Sequence, residues 1–128
     1  TIIAVIPAAL RAVLKSVTKY TNNTGNSSAA SAVTATTDYA FLLSEYEVFG
    51  STTYANSNEA SKQAQYAYYS AGNSKIKYNH SATSTAVVWW LRSPRASGSS
   101  YFVYVNSDGT VTGNNASISR GVAPGFCV

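Results

Sequence analysis

The chain has 128 residues, of which 45% are hydrophobic and 11% charged, with a formal net charge of +4. This length bounds it to one domain with room for a real core, and frequent aromatics with a small net charge exclude disorder. The charged share is under half of the usual quarter or so, so Ser, Thr, Asn, Tyr and Gly must cover the surface, as in secreted, cell-surface or phage-particle proteins.

Ile2 to Ile6 is apolar but short, with no basic residue before it, so no signal peptide is expected. Nowhere does an apolar run approach the roughly twenty residues of a membrane span, so no membrane insertion is expected. Methionine is absent, even at position 1, and residues 1–128 are expected to be a single domain forming the C-terminal part of a longer chain.

Pro7 to Tyr20 predicts a helix: Pro7 suits the first turn, and Leu10, Val13, Leu14 and Val17 recur at the spacing of one buried face. Arg11, Lys15 and Lys19 would lie on its wet face. The other basic residues, Lys62, Lys75, Lys77, Arg92, Arg95 and Arg120, are scattered. Nucleic-acid binders gather such charge in a stripe or patch, so no nucleic-acid partner is expected.

Thr21 to Thr37 is rich in Asn, Thr, Ser and Ala and reads as a long loop. The sequons at Asn22, Asn26, Asn79 and Asn115 are expected to be mostly chance matches in so Asn- and Ser-rich a chain. Phe41 to Leu43 is a short strand candidate, and Ser44 to Gly50 follows it. Glu45 and Glu47 have no His or metal-ligand partner nearby in sequence. Hydrogen bonding to backbone accounts for them better than acid–base chemistry. Asn56 and Glu59 have capping-box spacing for a helix running through Gln63, Tyr66 and Tyr69 to Gly72-Asn73.

Lys75 to Tyr78 alternates as a short strand would. His80, the sole histidine, lies in a polar loop and reads as a solvated side chain. Ala86 to Leu91 and Tyr101 to Val105 read as strands. Asn106-Ser107-Asp108-Gly109 is a hairpin turn from which Thr110 to Thr112 returns. Gly113-Asn114-Asn115 is a second turn, and Val122 to Val128 a closing strand, edge-like or bulged because of Pro124. Trp89 or Trp90 should be buried between sheet and helices, since neighbours on a strand face opposite ways. Cys127, the sole cysteine, excludes an internal disulfide and a Cys-based zinc site. Its apolar surroundings predict a buried structural thiol. The order of elements predicts an α+β fold of two helices with antiparallel sheets.

Trp89-Trp90-Leu91-Arg92-Ser93-Pro94, the Val105-Asn106-Ser107-Asp108-Gly109 turn and the terminal Gly121-Val122-Ala123-Pro124-Gly125-Phe126 resemble a domain family of unknown function common in gut bacteria and their prophages. Residues 41–50 and 68–75 look like it too, so the resemblance spans nearly the whole chain. Members of this type include variable proteins of diversity-generating retroelements. The resemblance therefore implies a C-type-lectin-like fold of the formylglycine-generating-enzyme subtype. It also implies a C-terminal segment, residues 91–128, rewritten by mutagenic reverse transcription at template adenines. Adenine mutagenesis of AAC or AAT codons never yields Lys, Glu, Gln, Trp or Met, and none of these occurs from Leu91 to Val128. The tripeptides of calcium-dependent sugar-binding lectins are missing, as are the cysteines of formylglycine-generating enzymes. Neither calcium nor that catalysis is implied.

Rigid framework ends around a middle rich in Tyr, Ser, Gly and Asn is the composition of a recognition surface. The expected contact residues are Leu91, Arg95, Gly98, Ser100, Tyr104, Asp108, Thr110, Thr112, Asn114, Ile118 and Arg120, with Tyr104 and the two arginines as anchors. Arg95, Tyr104, Thr112 and Arg120 should then tolerate exchange. The expected function is a hypervariable, lectin-like receptor-binding module of a phage tail or bacterial surface protein, engaging a protein or glycan receptor on a cell surface. Homo-oligomerisation would pass through the parent protein. The alternative is a structural or assembly domain of a phage particle. Enzymatic activity is not expected, for want of a nucleophile–base pair. No cofactor and no calcium or zinc site is expected from five acidic residues without a ligand cluster.

Overall fold

The computed structural model describes residues 2–128. Helix is scarce in it: α1 (Ala8–Arg11), α2 (Glu45–Phe49) and α3 (Ala67–Ser70), supplemented by short 3-10 turns. Seven strands follow the chain as β1 (Val17–Asn22), β2 (Val33–Asp38), β3 (Lys77–Asn79), β4 (Ala82–Val87), β5 (Trp89–Pro94), β6 (Tyr101–Val105) and β7 (Val111–Asn115). They pair antiparallel as the two-stranded sheets β1-β2 and β3-β4 and the three-stranded sheet β5-β6-β7. The fold is α+β with few helices and antiparallel sheets.

The N-terminal region departs from expectation. The predicted helix over Pro7 to Tyr20 is only α1, and the chain is already strand from Val17. Val17 pairs with Asp38 and Asn22 with Val33, so the supposed loop over residues 21–37 contains most of a second strand. The helical spacing of Leu10, Val13, Leu14 and Val17 was coincidental: Val13 is 53% exposed. β-Branched Thr and Val on both runs favour extended pairing over one isolated helical face.

Three other expectations change. Asn56 does cap, accepting from the Asn58 N–H at 3.0 Å, but the element it caps is a 3-10 turn, Ser57–Lys62. Glu59 does not reach back to complete a box. It is fully buried and accepts the Asn22 N–H at 2.9 Å instead. The capping box is at Ser44, whose hydroxyl accepts the Glu47 N–H while the Glu47 carboxylate accepts the Ser44 N–H. Gly50, at φ 68°, closes α2 in the left-handed region that favours glycine. Gly113 to Asn115 is strand, not turn.

Residues 41–43 and 122–128 are extended segments joined by isolated bridges rather than strands of a sheet. Phe41 pairs with Gly125, Lys15 with Cys127 and Trp89 with Gly121. Pro124 brings no N–H to any ladder, which keeps the tail's pairing intermittent. Cys127 is half-buried, not enclosed.

The core lies on one side of the three-stranded sheet. Trp89, Leu91, Val103 and Val105 are each at most 1% exposed and pack with Val48 of α2, Tyr69 of α3 and Ala55. Alternation along β5 turns Trp90 the other way, and Trp90 is half-buried on the opposite face. The Trp89 indole N–H is satisfied by the Lys75 carbonyl at 3.0 Å.

With so little regular structure, many loop amides must find acceptors elsewhere. Three of the five acidic residues serve as those acceptors or as internal ion-pair partners, and all three are buried. Glu45 takes the N–H groups of Thr53, Tyr54 and Ala55. Ser93 donates to Glu59 at 2.7 Å and accepts the Glu45 N–H at 3.1 Å, linking β5 to both. Glu47 is held by Lys19 at 2.7 Å and by Arg92. Arg92 also donates to Thr21, to the Leu42 carbonyl and to Gln63, tying β5 to β1 and to the segment before α2.

Candidate functional site

β6 and β7 are positioned by the hairpin that the sequence predicts. The Asn106 N–H donates to the Thr110 carbonyl at 2.8 Å, and Asp108 accepts from both the N–H and the hydroxyl of Thr110. Those hydrogen bonds hold the exposed Asp108 carboxyl below its usual value. Register then follows without slip from Val105↔Val111 to Tyr101↔Asn115. Because side chains alternate, the face away from the core carries Phe102 and Tyr104 from β6, Thr112 and Asn114 from β7 and Trp90 from β5.

On this outer face the aromatic side chains form a layer. Trp90 and Tyr104 meet edge to face, with centroids 5.5 Å apart. The Arg120 guanidinium lies 3.8 Å from the Tyr104 centroid and 5.3 Å from that of Trp90. Next to Trp90 a shallow cleft of about 390 Å³ is lined by Leu42, Trp90, Phe102 and Ala116 with parts of Leu91 and Arg92.

The expected contact residues divide over the molecule. Tyr104, Thr112, Asn114 and Arg120 come together on the outer face. Asp108 and Thr110 stand at the exposed hairpin tip, and Ile118 is 40% exposed in the loop after β7. Gly98 and Ser100 lie in the β5–β6 connection, where the Gly98 N–H donates to Asn26 and the Ser100 carbonyl accepts from Ala116. Arg95 packs instead between Tyr54 and Tyr101, 5.0 and 5.4 Å from their centroids, against Gly113, whose added Cβ would stand 2.5 Å from its Cδ. By alternation Tyr101 shares the core side with Val103, so Arg95 does not join Arg120. Leu91, at 1% exposed, is core, and Tyr104, at 7%, is a covered member of the aromatic layer.

Sequence reasoning missed Trp90, Phe102 and Leu42. The period of two that places Tyr104 outward also places Phe102 there, and the inward Trp89 assigns Trp90 to the same face. Those signals were present. Leu42 gave none, because its position depends on a segment running beside β5 from far earlier in the chain.

Besides Asp108, the buried carboxylates Glu45, Glu47 and Glu59 are the carboxylic acids displaced from their usual range. Burial pushes Glu45 and Glu59 up, against the hydrogen bonds they accept. Burial acts on Glu47 likewise, but the hydrogen bond and charge of Arg92, with help from Lys19, hold it below its usual value. Their bonding is to loop amides and internal cations, which fixes loops. His80 is exposed on the tight β3–β4 turn. Among the described residues no three His, Cys, Asp or Glu side chains gather as metal ligands.

The chain matches, over residues 2–128, the family described as Domain of unknown function (DUF6273). No curated protein and no solved structure matches it.

Proposed function

Because the chain belongs to the DUF6273 family, whose function is unknown, we propose its role from the sheet face itself: a ligand-binding module of lectin-like fold, working by surface complementarity without chemistry. One observation carries this reading. The β5-β6-β7 sheet spends one face on the core and leaves the other with a Trp90–Tyr104–Arg120 layer flanked by Thr112 and Asn114. Trp, Tyr and Arg are the residue types that dominate binding energy, and Thr and Asn add adaptable hydrogen bonds.

We place the domain with the variable proteins of diversity-generating retroelements, in the C-type-lectin-like fold of the formylglycine-generating-enzyme subtype. Residues 91–128 are the diversified segment. They supply most of the outer face and its flanking loops, while Trp90 stands just outside them as fixed framework. The receptor is a protein or glycan on a cell surface, and the parent protein is a phage tail or bacterial surface component. Nucleic acid and membrane insertion play no part in this reading.

Two experiments test it. The gene should be followed by a near-repeat of the codons for residues 91–128, differing at adenines, beside a reverse-transcriptase gene. A locus without either withdraws the diversification. Separately, a displayed library randomised at Asp108, Thr110, Thr112, Asn114, Ile118 and Arg120 should yield folded members that bind different protein targets. If most members fail to fold, the face is a structural layer and the assembly-domain alternative takes its place.

A further inference from the structure

Arg120 is a cation without an internal counterion. The ion pairs among the described residues are Lys19–Glu47 and Arg92–Glu47, and neither involves Arg120. Three of the five carboxylates are committed inside, and exposed Asp108 is engaged with Thr110. The Arg120 Nε is buried with no hydrogen-bond partner. An unpaired buried donor is unfavourable, more so when charged. Stacking compensates through the ring faces of Tyr104 and Trp90. Among the described residues no hydrogen bond engages the two Nη groups of Arg120, and they are not among the buried unpartnered atoms, so they remain a pair of donors that a carboxylate's two oxygens match.

Trp90 is shared between this arginine and the adjoining cleft. The other side chains of that cleft, Leu42, Phe102 and Ala116, offer carbon. The Arg92 guanidinium beside it is already engaged with Glu47, Gln63 and Thr21. A sugar ring seated there would need hydrogen-bond partners that this largely carbon lining does not supply. An apolar side chain would not.

We propose that the outer face binds a segment of a partner protein that presents a carboxylate to Arg120 and a neighbouring apolar side chain to the Leu42–Trp90–Phe102 cleft. This rests on the binding-module reading and names its ligand class. Each half of the contact is weak alone. Together they select an acidic side chain set beside an aliphatic or aromatic one.

The test is an NMR titration of ¹⁵N-labelled protein with 3-phenylpropionate, its amide and glucuronate, following the Trp90 indole N–H and the Arg120 Nε–H. The Trp89 indole, locked on Lys75, is the internal reference. Phenylpropionate should give saturable shifts at Trp90 and Arg120 and none at Trp89. Affinity should fall about tenfold, equivalent to ~1.4 kcal/mol, for the amide on the unaltered protein and for phenylpropionate on Arg120→Gln. The amide comparison stands even if that variant folds poorly. Equal binding of acid and amide, or an Arg120→Gln protein that folds and binds unchanged, overturns the carboxylate contact. Saturable shifts with glucuronate and none with phenylpropionate would assign the face to acidic glycans instead. If every titration fails while the randomised library still yields binders, the ligand class falls and the binding module stands.

Discussion

Glu47 and Glu59 are both buried carboxylates, yet pH should act on them in opposite directions. Glu47 is flanked by Lys19 and Arg92, and its folded pKa lies below the usual 4.5. Its contribution is therefore complete above that value and is lost as pH falls through the folded pKa. Glu59 faces Ser93 and the Asn22 amide, and burial raises its folded pKa above 4.5. Its contribution is complete below the unfolded pKa and is lost as pH rises through the folded one. Glu47→Gln should cost about 3–5 kcal/mol near pH 7, because it leaves buried cations uncompensated. That deficit should shrink as pH drops below about 5. The deficit of Glu59→Gln should instead be largest near pH 4 and shrink toward pH 8, since the amide does not titrate. Urea denaturation of both variants across this range checks the signs. Parallel pH trends would show that the two carboxylates are not in the different environments described. The sequence revealed that Glu45 and Glu47 serve structure. It did not reveal Glu59, because its partners Asn22 and Ser93 are 37 and 34 residues away.

At the scale of elements, legibility depends on the range of the interactions. The β6–β7 hairpin was readable because the turn chemistry of Asn106 to Gly109 and the aromatic and β-branched composition of Tyr101 to Val105 are local and agree. The first strand pair was not. The signal existed, since Val17–Asn22 and Val33–Asp38 are both rich in β-branched residues around a Ser/Asn/Gly connection, but an overlapping helical spacing competed with it and only long-range pairing decides. The aromatic pair in β5 shows what local reading can do: adjacency alone requires Trp89 and Trp90 to face opposite ways. Trp89→Ala should cost about 3–5 kcal/mol, the range for a buried aromatic. Trp90→Ala removes a half-buried ring and should cost about 1–2 kcal/mol, while releasing Arg120 from part of its stack. Chemical denaturation with matched slopes separates the two. Equal losses would mean that the outer layer is as much core as the inner one.

For the molecule as a whole, segments far apart in sequence are bound into one unit. Lys15 donates to the Cys127 carbonyl at 2.9 Å, Gly125 exchanges hydrogen bonds with Phe41, and Arg92 reaches the Tyr20 carbonyl across 72 positions. Separate sheets joined in this way should unfold together, with a single transition reported by tryptophan fluorescence and circular dichroism. The outer face is then the part of this unit that can change without undoing it. Thr112→Ser, Asn114→Ser and Ile118→Ser each alter half-buried or exposed side chains and should cost within about 0.5 kcal/mol. Arg120→Asn also loses its aromatic stacking, about 0.5–1 kcal/mol. Tyr104 does not belong in this set, although its sequence context suggested it, because it is covered by Trp90 and Arg120. The fourfold variant should therefore keep its cooperative transition and lose less than about 3 kcal/mol in total, neighbours being only roughly additive. A fourfold variant that melts as low as Trp89→Ala, or in two steps, would make Thr112, Asn114, Ile118 and Arg120 part of the framework. The surface would then hold the domain together, and a face free to be rewritten for new ligands would have to lie elsewhere.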